Sequence, residues 1–360
     1  MAEGGMACHW EEPLPKIKPG RGLPKEKIFK GRFKIEERIG TGGFGDVYSC
    51  IDIRTLRPYA MKVVSNIKPA NPDVHYLNIE ASVLKDVRGE AYFPRFYSHG
   101  RTDTHDYIVM ELLGMNLRDL KKKQPDKKFE ILDVLHMGKM MLKSIESLHQ
   151  AGYLHRDIKP QNFTIGTERN AKKVYLIDFG LSKRFVSECG DLIPSRTKVP
   201  FKGTIRYASA HVLSMKDAGR RDDLISLLYT LIELTMIELP WKNVHGCQEM
   251  ANIKLQMDHH ILTKDFPGEF QQFFNHIRQL RKLDKPDYRF LHSVLCNCIS
   301  VCMSFPLLQR IAERRTAENE FDSSSSLNSD STSNDPVITT TSFEYSEETF
   351  DVSFFSQNLD

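Results

Sequence analysis

Residues 153–180 read YLHRDIKPQNFTIGTERNAKKVYLIDFG. Asp157, Lys159 and Asn162 place an acid, a cation and an amide on one short irregular segment, which Pro160 stiffens. Asp178 follows the apolar run VYLI and precedes Phe179 and Gly180. One acid beside one amide is an oxygen-rich setting that suits Mg²⁺, which takes few protein ligands and completes its shell with water and substrate phosphates. Each residue also has a plainer reading on its own. Asp157 could be a loop or capping acid, and His155 a packed core histidine.

Upstream, GTGGFGDV runs from Gly40 to Val47 through Thr41, Gly42, Gly43, Phe44 and Gly45. Glycines let backbone amides come close to phosphate oxygens. Such a pattern also marks dinucleotide folds, where it ends a strand and opens a helix. Here the strand-like DVYSCIDI follows it, which favours a hairpin. Seventeen residues after Gly45 stands Lys62, in the run PYAMKVV. Ala60, two residues earlier, faces the same side of a strand and leaves room for a flat ring. An inward lysine needs a partner acid. Glu80, in the helix-like HYLNIEASVLKDV, is the best candidate.

The 360 residues are 40% hydrophobic and 27% charged, which is ordinary for a soluble globular chain. No run is long and apolar enough to suggest a membrane span. Residues 224–240 read as a helix buried in a large core. The N-terminus lacks an apolar signal region. The seven cysteines show no disulfide framework, which predicts a cytoplasmic location, with the nucleus also open. Cys296, Cys298 and Cys302 fall in one helix-like run and read as small buried thiols. The net charge of +3 hides an asymmetry. Residues 316–360 hold ten acids and no Lys or Arg, which leaves a balance of +13 in 1–315. A basic body suits acidic or phosphorylated protein substrates, or nucleic acid.

Four regions follow. Residues 1–32 form a basic Pro/Gly-rich arm, residues 33–113 are strand-rich with one helix, and residues 114–312 are mostly helical. Residues 313–360 are an acidic Ser/Thr tail too polar to build a core. The expected fold class is α+β with two lobes.

The glycine-rich loop, the strand lysine, HRD-x-x-x-x-N and DFG are the signature set of eukaryotic protein kinases. All four stand here in order, with Tyr59 where Val is usual. The chain from about Phe33 to Arg310 resembles that family. The resemblance implies a bilobal fold, a small β-rich N-lobe and a larger helical C-lobe. ATP would lie between the lobes, with Ile39, Val47 and Ala60 covering the adenine. The backbone of Glu111 and Leu113 would bond its edge behind Met110. It also implies that Lys62, oriented by Glu80, holds the α and β phosphates. Asn162 and Asp178 would bind Mg²⁺. Asp157 would orient the acceptor hydroxyl and take its proton, with Lys159 neutralising charge and Thr204 bonding that pair. Asp223 would hold the backbone of His155 and Arg156. Lys159 implies Ser/Thr substrates, since tyrosine kinases resemble HRDLAARN instead.

An A-P-E triplet, which usually anchors the activation segment, is replaced by ASA at 208–210. GTIRYAS, RRDDLISL, LPW and KPDY resemble the casein kinase I group, which lacks that triplet. YLNIEASVLKDV and GRRDDLISL look closest to its tau-tubulin kinase branch, as a divergent nematode-type member. That group resembles itself in an anion pocket. Arg206 is kept here, but Ile237 and His245 stand at its Gly and Lys positions, with Lys242 nearby. Thr164 replaces a larger apolar residue under the adenine. Ser187, Ser195 and Thr197 lie in the activation segment, which the resemblance predicts to be active without phosphorylation. The tail reads either as an autophosphorylated, mildly inhibitory segment or as a solubilising or partner-docking one with no effect on rate. Two other classes stand beside a transferase: a pseudokinase serving as a binding module, and a nucleic-acid binder. The second is disfavoured because the basic residues lack interleaved aromatics.

Overall fold

The computed structural model describes residues 22–42, 45–66 and 72–304. The N-lobe is a six-stranded antiparallel sheet in the order β1-β2-β3-β4-β6-β5. Its strands are β1 (Ile28–Phe29), β2 (Phe33–Gly42), β3 (Gly45–Asp52), β4 (Pro58–Ser65), β5 (Phe96–Arg101) and β6 (His105–Met110). Helix α1 (Pro72–Asp86) lies between β4 and β5 in sequence. Strand β4 is buried on both faces. Tyr59, Met61 and Val63 join an outer cluster with Phe33, Ile35 and Val109. Ala60 and Val64 join the large core that contains Leu77, Ala81 and Leu84 of α1. Strand alternation therefore puts Lys62 on the face that meets α1.

The C-lobe is helical. Its main elements are α2 (Leu117–Lys123), α3 (Ile131–Gln150), α4 (Ala210–Leu213), α5 (Arg220–Thr235), α6 (Cys247–Gln256), α7 (His259–Leu262), α8 (Phe270–Gln279) and a helix over 288–304, α9. Four short strands lie between α3 and α4: β7 (Tyr153–Leu154), β8 (Phe163–Ile165), β9 (Val174–Leu176) and β10 (Lys183–Arg184). They form the pairs β7·β10 and β8·β9. Helices α3 and α5 supply Leu135, Leu142, Leu224, Leu227 and Leu231 to one core. This is the α+β, two-lobed arrangement expected from the sequence.

Three local readings shift. The arm expected over 1–32 already enters the sheet at β1, where Phe29 pairs with Phe33. Edge strand β5 was not foreseen. Of the three clustered cysteines only Cys298 is buried, while Cys296 is exposed, so that cluster is not a uniform set of packed thiols. The acidic tail over 313–360 lies outside the described residues.

Candidate active site

The glycine-rich stretch is a hairpin. Gly40 pairs with Val47, Thr41 with Asp46 and Gly42 with Gly45 across β2 and β3. Gly43 and Phe44, at its tip, lie outside the described residues. Gly45 has φ +117°, and a Cβ there would meet the Val63 carbonyl at 2.5 Å, so only glycine fits. Beside the hairpin, Val47 pairs with Lys62 and Ala60 with Met110. Ala60 and Met110 are buried, Val47 is half-buried, and Ile39 is exposed at the rim.

Lys62 joins the two lobes. Its Nζ donates to Glu80 Oε2 at 2.5 Å and to Asp178 Oδ1 at 2.8 Å. Burial works against its charge, but the carboxylates of Asp178 and Glu80 outweigh that and hold its pKa above the ordinary lysine value. Asp178 is also buried against ionisation, yet the Lys62 charge and hydrogen bond keep its pKa below the carboxylate norm. Asp178 has φ 65°, a left-handed backbone that a non-glycine residue adopts only where its surroundings impose it.

The second cluster is a triangle. Lys159 Nζ donates to Asp157 Oδ2 at 2.6 Å and to Thr204 Oγ1 at 3.0 Å, and Thr204 Oγ1 donates to Asp157 Oδ1 at 2.7 Å. Asn162 Nδ2 donates to the Asp157 carbonyl at 2.8 Å. The amide nitrogen is thereby committed, which leaves the Asn162 amide oxygen as its ligating atom. Gly203, just before Thr204, has φ +121°, and a Cβ would meet the Arg156 carbonyl at 2.6 Å.

The two clusters share a backbone frame. Ile177 N donates to the Asn162 carbonyl at 2.9 Å. His155 Nε2 donates to the Ile177 carbonyl at 3.1 Å, while its Nδ1 accepts from Asp157 N at 3.2 Å. Those roles require a neutral imidazole, and burial lowers its pKa accordingly. Arg156 has φ 68°. Asp223 of α5 secures that turn by accepting from His155 N at 2.8 Å and from Arg156 N at 2.9 Å. The connection between the lobes is pinned as well. Glu111 N donates to the Arg95 carbonyl and Gly114 N to the Ile165 carbonyl, each at 2.9 Å. Leu113 lies half-buried between them. Thr164, under this region, is buried and its hydroxyl has no partner among the described residues.

The activation segment is held by carboxylates that sequence reasoning missed. Asp217 is buried and accepts from Lys183 Nζ at 2.8 Å, Lys282 Nζ at 2.9 Å and Arg196 N at 3.3 Å. Burial opposes its ionisation, but the Lys183 and Lys282 hydrogen bonds hold its pKa down to about 2. Glu233 of α5 accepts from Arg206 at 3.2 Å and from the Tyr207 hydroxyl. Ser209, where A-P-E would continue, caps α4 through Val212 N and donates to Asp222 Oδ1 at 2.6 Å. The only sequence signal for Glu233 was an acid inside an apolar helix.

The site residues expected from the sequence, apart from Gly43 and Phe44, thus fall on the β2–β3 hairpin, β4, α1, the end of β6 with the connection after it, and the segments from β7 to Thr204, with Lys62 bonding across from β4 to Asp178. The donor set of Asp178 and Asn162, with Lys62 beside it, fits a magnesium–nucleotide pair, since Mg²⁺ asks for few protein oxygens.

A family model described as the protein kinase domain matches residues 33–310. A Dictyostelium discoideum protein bearing the name of a probable serine/threonine-protein kinase is 39% identical over 278 residues, covering 77% of this chain and 55% of that relative. The chain thus spans about half the length of that protein. The serine/threonine-protein kinase spe-6 of Caenorhabditis elegans is 34% identical over 271 residues, covering 73% of this chain and 71% of the relative.

Proposed function

The chain belongs to the protein kinase family, and from that footing we propose that it is a serine/threonine protein kinase. It transfers the γ-phosphoryl group of Mg·ATP to protein Ser and Thr hydroxyls. The observation that carries this is the double cluster: Lys62 bridging Glu80 and Asp178, beside the closed triangle of Asp157, Lys159 and Thr204. Both relatives carry the same activity in their names.

Bound Mg·ATP supplies the electrophilic phosphoryl group. Lys62, fixed by Glu80, holds the α and β phosphates. Asp178 and the Asn162 amide oxygen would hold the metal. The Glu111 amide is already spent on Arg95, so its carbonyl and the Leu113 amide meet the adenine edge. Asp157 aims the acceptor hydroxyl and takes its proton. Lys159, bonded to Asp157 Oδ2, neutralises charge growing on the transferred group. Thr204 keeps Asp157 in one rotamer. The pseudokinase alternative has no residue to recommend it, because each of these positions carries a competent side chain.

Within the family we place the chain in the casein kinase I group, near the tau-tubulin kinase branch, acting on acidic protein substrates in the cytoplasm or nucleus. What supports this is a segment anchored without A-P-E. The group's anion pocket is absent in form. Arg206 is engaged by Glu233, Lys242 bonds Glu238, Ile237 is 64% exposed and His245 is exposed. A panel of matched peptides tests the assignment. With Mg·ATP, a serine peptide in an acidic context should be labelled and its tyrosine analogue should not. Adding an upstream phosphoserine should bring no gain. Labelling of tyrosine alone contradicts the assignment, and strong dependence on the phosphoserine contradicts the pocket reading.

Because Asp217 already ties Lys183 and the Arg196 amide of the activation segment to Lys282, activity should not need a phosphate on Ser187, Ser195 or Thr197. Phosphatase treatment of the purified chain should leave kcat within about twofold. A loss of an order of magnitude, restored by re-phosphorylation, contradicts this.

A further inference from the structure

Lys254 sits in α6, outside the nucleotide and phosphoryl-transfer residues assigned above, and is only 3% exposed. Its Nζ donates to three backbone carbonyls: Ile205 at 3.1 Å, Arg206 at 2.9 Å and Ala208 at 2.6 Å. Its ammonium also stands over the rings of Tyr229 and Trp241, 4.7 and 5.0 Å from their centroids. Among the described residues no carboxylate pairs with it. A buried ammonium is costly unless its three donors are satisfied, and here all three are spent on a single stretch of main chain.

That stretch is one turn of backbone. Tyr207 N and Ala208 N both donate to the Thr204 carbonyl, at 3.1 and 3.2 Å. A helical turn leaves its last carbonyls unpaired at its C-terminal end. A cation there satisfies them and complements the turn's dipole. Trp241 adds a fourth bond, its Nε1 donating to the Arg206 carbonyl at 2.9 Å. The turn begins at Thr204, 2.7 Å from Asp157. The turn therefore adjoins the acid that would meet the acceptor hydroxyl.

We propose that Lys254 is a positioning residue for protein substrate: it locks the 204–208 turn through three carbonyls, in the place where A-P-E is missing. The inference rests on the kinase reading above. Lys254 does not touch nucleotide or the reacting atoms. Its removal should therefore loosen the peptide surface and leave the nucleotide site alone. Burial lowers its pKa, and the three carbonyl acceptors work against that by favouring the charged form.

Lys254→Met keeps the apolar stem, removes the three donors and introduces no new charge. It should raise the KM for a protein or peptide substrate about tenfold or more, since bonds to a charged donor are the strong ones. The change in kcat should be smaller than the change in KM. The KM for ATP and the nucleotide-binding affinity should stay within about twofold. Trp241→Phe keeps a ring and loses the indole donor together with some buried ring volume. It should give a several-fold rise in peptide KM with nucleotide binding unchanged, and it carries the test if Lys254→Met does not fold. Unchanged peptide KM in the folded variants overturns the proposal. So does a parallel loss of nucleotide affinity and melting temperature, the mark of a merely structural lysine. A wild-type chain that transfers phosphate to nothing overturns the kinase reading and this latch together. Transfer with unchanged peptide KM overturns the latch alone.

Discussion

Asp157→Asn is expected to lower kcat by about a thousandfold while leaving Mg·ATP affinity within about twofold, in line with the usual worth of a positioned general base. The substitution is nearly isosteric but keeps one acceptor oxygen, for either Thr204 Oγ1 or Lys159 Nζ, which now lie 2.7 Å from Oδ1 and 2.6 Å from Oδ2. What it removes is the group able to accept a proton. Lys62, Glu80 and Asp178 are untouched, so nucleotide binding measured by titration should match the wild type. A variant that keeps most of its kcat contradicts the role given to Asp157. One that loses nucleotide binding as well places Asp157 in the nucleotide site instead.

Asp178→Asn should fail in the opposite way. Its carboxylate is the proposed metal-binding acid and is half of the clamp on Lys62, whose Nζ sits 2.8 Å away. With the charge gone, affinity for Mg·ATP should fall by roughly two orders of magnitude, because a ligand lost from the metal itself costs at least as much as a supporting group behind it. Binding of ATP without the metal should fall far less. Titration of both variants with nucleotide, with and without Mg²⁺, separates the two roles. Equal behaviour of ATP and Mg·ATP in Asp178→Asn and wild type contradicts the metal assignment.

The parts of this site that the sequence made legible are those whose chemistry is packed into short stretches. Asp157, Lys159 and Asn162 fall within six residues, and Asp178 sits beside Phe179 and Gly180. Lys62 could be paired with Glu80 because an inward lysine on an apolar strand demands an acid, and the single helix of that half offered one. The hairpin was readable because a strand-like run follows the glycines. Other features were not legible because their meaning lies in contacts across long separations. Lys254 is 46 residues from Ala208, its nearest partner. In a helix that also carries Glu249 and several polar residues, a lysine reads as solvent-facing. Asp217 shows nothing in sequence of its link to Lys282, 65 residues on. Strand β5 reads FYSHGR, half-exposed and without the apolar alternation that marks a strand. Cys296 and Cys298, two apart on one helix, point to different sides, so a shared burial could not hold for both.

The chain should transfer phosphate as well as bind nucleotide. The most direct measurement is the incorporation of γ-labelled phosphate from Mg·ATP into casein by the purified full chain, with hydrolysis of the product to its phosphoamino acids and Asp157→Asn as background. The expected result is phosphoserine and phosphothreonine, abolished by chelation of the metal and far above that background. Labelling no greater than that of Asp157→Asn, from a wild-type chain that binds Mg·ATP, would contradict the claim and leave a nucleotide-binding module in its place.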